Sequence, residues 1–171
     1  MLPLFALLLL GSYQVKTVQV EGVRWTSREY VIARAGFTTG SVSPSDISRG
    51  IKRLYKDGFF SDIAVYLAPQ RDSLFDLVIS VKENPRLGQI TFEGLKHLKE
   101  NNIKDTLNIK TGMYLSPEKV FAWARKIEEF LKEKGYYLAS VSVARKPAKE
   151  GFVDLTFSVN EGPVVKIQRI E

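Results

Sequence analysis

One imidazole is available for chemistry in this chain, His97, set in the run Leu95-Lys96-His97-Leu98-Lys99-Glu100. A catalytic base needs a partner group within hydrogen-bond reach, and no recognisable partner spacing accompanies it. The sequence has no H-x-x-H or H-E-x-x-H pair, so a His-based metal site is not expected. It has neither a G-x-x-x-x-G-K-[ST] phosphate loop nor a G-x-G-x-x-G dinucleotide turn. There are no cysteines, which removes disulfides, thiolate metal ligands, Cys nucleophiles and a lipoprotein anchor. Acidic pairs such as Glu128-Glu129 lie among lysines and read as a solvated helix face. His97 reads as a surface or turn residue. No catalysis, metal or cofactor is expected.

If chemistry is absent, the work must be done by shape, and the bulk numbers bound that shape. The chain has 171 residues, 44% hydrophobic and 26% charged, an ordinary globular balance with no sign of disorder. The length suits one domain or two small ones. The net charge of +6 is spread thinly, +2 over residues 15–84 and +3 over 85–163. A nucleic-acid binder clusters its charge on one face or in a run, so nucleic acid is not an expected partner. Residues 2–10, LPLFALLLL, are too short to span a bilayer as a helix but match the apolar core of a secretory signal. No Lys or Arg precedes the block and no A-x-A follows it. Residues 1–14 are read as a signal remnant, with a buried N-terminal segment as the alternative.

The chain repeats itself. Val20-Glu21-Gly22 returns as Phe92-Glu93-Gly94, 72 residues on. KDGFF at 56–60 returns as EKGYY at 133–137, and FDLVISVKENP at 75–85 returns as VDLTFSVNEGP, 78 residues on. PVVKIQRIE at 163–171 resembles PRLGQITFE at 85–93, a third start. The expected division is residues 15–84, residues 85–163, and a truncated further strand at 164–171.

Each copy has the same element order. Val18 and Val20, and then Ile90 and Phe92, alternate with polar residues, which predicts a strand. Thr26-x-x-Glu29 is a capping-box signature, and Gly36 suits the left-handed position that ends a helix. The second copy of this helix is marked only by Ile103 and Leu107. The next helix is the clearest element. Ser43 and Ser116 are N-caps, and Pro44 and Pro117 follow at the first helical position, where a missing N–H is harmless. Ile47, Ile51, Leu54 and Tyr55 form its stripe, matched by Val120, Ala124, Ile127 and Leu131 with Trp123 and Phe130. Gly58 and Gly135 stop these helices by taking positive φ. The aromatic pairs Phe59-Phe60 and Tyr136-Tyr137 follow and read as core. Two strands close each copy, alternating through Ile63, Val65 and Leu67 or Val141 and Val143. The last strand places Phe75, Leu77, Ile79 and Val81, or Val153, Leu155, Phe157 and Val159, on one face. The order β-α-α-β-β, twice, predicts an α+β fold: two tandem units, each a three-stranded mixed sheet covered on one face by two helices.

This arrangement resembles the POTRA domain. The residues that carry the resemblance are V-x-G after the first strand, the helix end Leu54-Tyr55-Lys56-Asp57-Gly58-Phe59-Phe60, and a last strand closing V-x-E-x-P. Copy two departs from the helix-end motif, with Phe130-Leu131 and Tyr136-Tyr137. The tandem resembles the periplasmic arm of BamA-type outer-membrane β-barrel assembly factors. That resemblance implies exported modules that are not enzymes. They would receive unfolded outer-membrane protein chains, dock accessory lipoproteins, and reach the membrane only through a C-terminal barrel absent from this chain.

A three-stranded sheet has two edges whose unpaired N–H and C=O groups accept an extended peptide as a further strand. By resemblance, the usable edge is the strand after the aromatic pair. In copy one that is Ser61, Asp62, Ile63, Ala64, Val65, Tyr66 and Leu67, running on to Ala68. In copy two it is Leu138, Ala139, Ser140, Val141, Ser142, Val143 and on to Arg145. The bland alternative is a merely protected edge, for which Arg145 and Lys146 are suited. Two alternatives stay open for function: the POTRA region of a two-partner secretion transporter, and a KH-like RNA-binding module. The KH reading needs a G-x-x-G clamp between its helices, where this chain has GFTTG and NIKTG. Titration with single-stranded RNA is therefore expected to give no steeply salt-dependent binding; a steep salt slope would favour the RNA module.

Overall fold

The computed structural model describes residues 11–164. Residues 1–10 of the expected export segment at 1–14, and residues 165–171 of the expected further strand at 164–171, lie outside the described residues. The chain divides between Asn84 and Pro85 into two compact units. The first contains β1 (Tyr13–Glu21), α1 (Arg28–Ala35), β2 (Gly40–Val42), α2 (Pro44–Lys56), β3 (Phe60–Pro69) and β4 (Leu74–Glu83). The second contains β5 (Arg86–Glu93), α3 (Glu100–Leu107), α4 (Pro117–Glu133), β6 (Ser140–Pro147) and β7 (Phe152–Asn160).

Both sheets are mixed, as the α+β reading requires. The strand orders are β2-β1-β4-β3 and β5-β7-β6. In each, the last strand lies inside the sheet, parallel to the first strand and antiparallel to the strand before it. The first unit carries one strand more than the three expected. β2 is three residues long and pairs antiparallel with the start of β1, Tyr13 opposite Val42. A run that short holds too little alternation to be read from sequence. β1 also begins at Tyr13, two residues before the expected boundary at 15. Tyr13 is buried and meets Phe75 edge-on at 5.7 Å.

The helices roof one face of each sheet. Val31 and Ala35 of α1 and Ile47 and Leu54 of α2 pack over Val20, Ile63, Val65, Leu77, Ile79 and Val81. In the second unit Ile103, Leu107, Val120, Ile127 and Leu131 pack over Leu87, Leu155, Phe157 and Val159. Each first strand changes its alternation once. The register shifts between Val15 and Thr17 on β1 and between Leu87 and Ile90 on β5. Such a bulge lets Val15 and Val20, five positions apart, face the same core. A carboxylate on the last strand steadies each bulge: Thr17 Oγ1 donates to Asp76 at 2.6 Å, and the Gln89 N–H donates to Asp154 at 2.6 Å.

Helix starts follow the sequence, with one correction. Ser43 and Ser116 accept the N–H groups of Asp46 and Lys119. The cap of α1 is Ser27, which accepts the Tyr30 N–H at 3.1 Å, and not Thr26. The Thr26 N–H goes elsewhere, to Glu83 at 2.8 Å. Glu83 also accepts the N–H groups of Arg24 and Trp25 at 3.2 and 3.1 Å. Its counterpart Glu161 accepts the N–H groups of Lys96 and His97 at 2.8 and 3.1 Å, and its Oε2 lies 2.6 Å from His97 Nδ1. Each carboxylate thus ties the end of the last strand to the loop that leads into the first helix. The same loop approaches the last strand closely at Gly22 and Gly94. Both have positive φ, and a Cβ on either would collide with the carbonyl oxygen of Val81 or Val159.

Charge supports these ties. Burial pushes the Glu161 carboxyl up, but hydrogen bonds from the His97 ring and from the Lys96 and His97 amides outweigh it and hold it below the usual range. Asp57, at the end of α2, is also held below the usual range. The Arg34 guanidinium is the main cause, donating at 2.6 and 2.5 Å; burial opposes it, and Tyr30 Oη adds a bond at 2.7 Å. His97 is half in this network and half in a stack on Tyr136, with ring centroids 5.4 Å apart.

Two outcomes follow. Gly22→Ala adds a clash to an unfavourable φ and is expected to cost about 3 kcal/mol or more of first-unit stability. Gly40→Ala also has positive φ but meets nothing within 4 Å, and is expected to cost about 1–2 kcal/mol. Urea unfolding of the two variants reads the difference, and equal losses would contradict the close approach. Both depressed carboxyls contribute stability that is present above their unfolded values and lost as pH falls through their folded ones. Stability is therefore expected to fall as pH drops below about 4. The Asp57→Asn, Glu161→Gln double variant should lose stability at neutral pH and show a flatter acid limb.

Candidate functional site

The expected binding residues fall on the outer strands of the two sheets. Ser61, Asp62, Ile63, Ala64, Val65, Tyr66 and Leu67 all lie in β3, at one end of its sheet. Ser140, Val141, Ser142, Val143 and Arg145 lie in β6, at one end of the other. Leu138 and Ala139 do not belong to β6. They follow Tyr136 in a turn that the Ala139 N–H closes on the Tyr136 carbonyl at 3.1 Å. Sequence alternation could not separate this turn from the strand, because Leu138 and Ala139 are as apolar as a strand start.

The turn also divides the second aromatic pair. Tyr136 is buried, whereas Tyr137 and Leu138 are 55% and 67% exposed. In the first unit both aromatics stay with the core. Phe60 is buried, and Phe59 lies 5.7 Å from Tyr30 and 6.4 Å from Phe60. Gly58 and Gly135, with φ of 71° and 93°, end the preceding helices as expected.

Side chains of the helix layer reveal which backbone groups of each edge point outward. The Ile63 N–H donates to Tyr55 Oη at 3.1 Å. The Val141 N–H donates to Glu128 Oε1 at 3.0 Å. An N–H bonded to a helix side chain is not in the strand ladder, so residues 63 and 141 face away from β4 and β7. In an antiparallel strand the outward residues alternate. The outward rows are therefore Ile63, Val65, Leu67 and Pro69, and Val141, Val143, Arg145 and Pro147. Proline has no N–H, and at an outward position no ladder bond is lost. The two rows match one for one at the 78-residue offset of the last strands.

These rows carry no catalytic apparatus; what they present is a line of main-chain donors and acceptors. The side chains of Val65 and Leu67 sit opposite Ile79 and Leu77, on the helix side. Tyr66, 42% exposed, faces the open side with Ala64. On β6 the open side is polar or small, with Ser142, Ala144 and Lys146 opposite Ser158, Thr156 and Asp154. Among the described residues no group of His, Asp and Glu is placed to hold a metal ion, and no helix is long and apolar enough to cross a membrane.

Sequence reasoning placed Tyr55 in a buried stripe and Glu128 on a solvated face. It missed that both reach the edge strand, since a contact across 8 or 13 residues leaves no local pattern. It also gave no role to Glu83 and Glu161. Their return at one position of a repeated motif, KENP and NEGP, was the available signal.

Residues 85–162 match the family model for POTRA, described as the surface antigen variable number repeat. Over 160 residues the chain is 28% identical to the outer membrane protein assembly factor BamA of Nitratidesulfovibrio vulgaris, covering 92% of this chain and 20% of that protein. It is 25% identical over 166 residues to BamA of Buchnera aphidicola, covering 94% and 26%. The chain thus spans about a fifth to a quarter of the length of these curated relatives. Among solved structures, the N-terminal domain of Omp85 from Thermosynechococcus elongatus aligns with a TM-score of 0.63 at 19% identity, covering 85% of this chain and 62% of that one. The first two POTRA domains of Omp85 from Anabaena align with a TM-score of 0.55 at 20% identity, covering 90% and 96%. Those likenesses show the fold. The second unit thus matches the POTRA family model, and the chain as a whole is similar to tandem POTRA domains of BamA and Omp85 proteins.

Proposed function

We propose that the chain is part of the periplasmic arm of an outer-membrane protein assembly factor. It would receive unfolded outer-membrane protein segments by strand addition at β3 and β6 and dock accessory assembly lipoproteins. In the full-length protein the arm would be held at the outer membrane by a C-terminal barrel. The observation that carries this reading is the outward row of main-chain groups repeated at the same positions in both units. Main-chain pairing reads extended backbone more than side-chain identity, which suits a receiver of many different clients. The relatives named above are assembly factors, which supplies the client class. Against the RNA alternative, the segment between α1 and α2 is tied to β1 as β2, so it does not form a free backbone clamp.

The test is a titration of the isotope-labelled chain with a chemically denatured segment of an outer-membrane barrel. Amide shifts are expected to concentrate on Ile63–Ala68 and Val141–Lys146. Shifts confined to the helices, or none, would overturn strand addition as the mode of binding.

A further inference from the structure

We propose that Tyr55 and Glu128 are register stops that fix where a guest strand can pair on each edge. The inference rests on the strand-addition reading and deepens it. Each edge has four outward positions, and the first and last are closed by different means. At the first, the N–H is already donated, to Tyr55 Oη on β3 and to Glu128 Oε1 on β6. At the last, Pro69 and Pro147 have no N–H to give. Only Val65 and Leu67 on one edge, and Val143 and Arg145 on the other, offer a main-chain donor between the stops.

A guest that extended past the first stop would have to displace a satisfied hydrogen bond in order to make one. That exchange brings no net gain, so the guest stays in register with the open pair. The stop also meets the general hazard of a sheet edge, because a long unpaired row is a template for indiscriminate association. Each edge therefore accepts a short extended segment of about five residues. A strand able to cross a membrane in a barrel has about 9–11, so one edge engages only part of such a strand. The two stops differ in kind. Tyr55 presents a neutral hydroxyl, whereas Glu128 presents a carboxylate that repels an incoming carbonyl oxygen, making β6 the more strictly bounded edge.

The experiment uses amide hydrogen exchange on the full chain, with a Lys-flanked peptide of about nine alternating Val and Thr residues as the probe. In the free chain, the Ile63 and Val141 amides are expected to exchange more slowly than those of Val65 and Val143. Tyr55→Phe and Glu128→Ala should abolish that difference, whereas Glu128→Gln, which keeps an acceptor, should retain it. With peptide, the native chain should gain protection at Val65, Leu67, Val143 and Arg145, with Ile63 and Val141 unchanged. In Tyr55→Phe and Glu128→Ala the freed amide should join the protected set. Affinity should rise about two- to tenfold, the worth of one added main-chain hydrogen bond. Peptide protection that already includes Ile63 and Val141 in the native chain, or variants that leave the pattern unmoved, would overturn the stops while leaving strand addition standing. Absence of protection on both edges in every form would overturn strand addition itself, and the stops with it.

Discussion

In each unit a loop of main chain is held by one carboxylate, Glu83 or Glu161, at the end of the last strand. The partners are backbone N–H groups of the loop after the first strand. Hydrogen bonds to a charged group are worth roughly 1.5–3 kcal/mol each, and this carboxylate gathers two or three such amides. The carboxylate satisfies them together, and the left-handed glycine beside them lets the loop lie against the strand. The position of the first helix follows from this, because α1 and α3 start within a few residues of the tied loop. With both helices seated, each sheet is covered on one face, and β3 or β6 is left at one end of it.

The two units solve the same problem with unequal means. The first braces α1 to the end of α2 through Arg34, Tyr30 and Asp57. The second has Lys134 where Asp57 would stand, and it instead brings His97 over Tyr136. Only the first has the added β2. The outward positions of the edge strands nevertheless fall in the same register, Ile63, Val65, Leu67 and Pro69 against Val141, Val143, Arg145 and Pro147.

What was legible in the sequence was local. Ser43-Pro44 and Ser116-Pro117 announce helix starts because the cap and the capped amide are three residues apart. The alternation of Leu77, Ile79 and Val81 is visible because a pleat has a period of two. What was hidden was pairing across distance. Thr26 looked like a cap until its N–H was claimed by Glu83, 57 positions away. Tyr55 looked like core because its ring lies in the stripe, while its hydroxyl serves another strand. β2 is too short to show a period. The strands expected after the aromatic pairs do lie at one end of each sheet, except at Leu138 and Ala139, where an apolar turn imitates a strand.

That turn has a consequence for how such a domain can change in length. Gly58 and Gly135 are 77 residues apart, whereas Ile63 and Val141 are 78 apart, so the second copy holds one extra residue between them. Inside β6 that residue would have sent Val141 and Val143 to the wrong face, since a one-place slip inverts a pleated strand. Looped out at Tyr137 and Leu138 instead, it leaves the strand's polarity intact, and its toll is two apolar side chains in water. An insertion in a duplicated module is thus absorbed at the hinge ahead of the strand, which marks the place where related copies can drift in size without disturbing their outer rim.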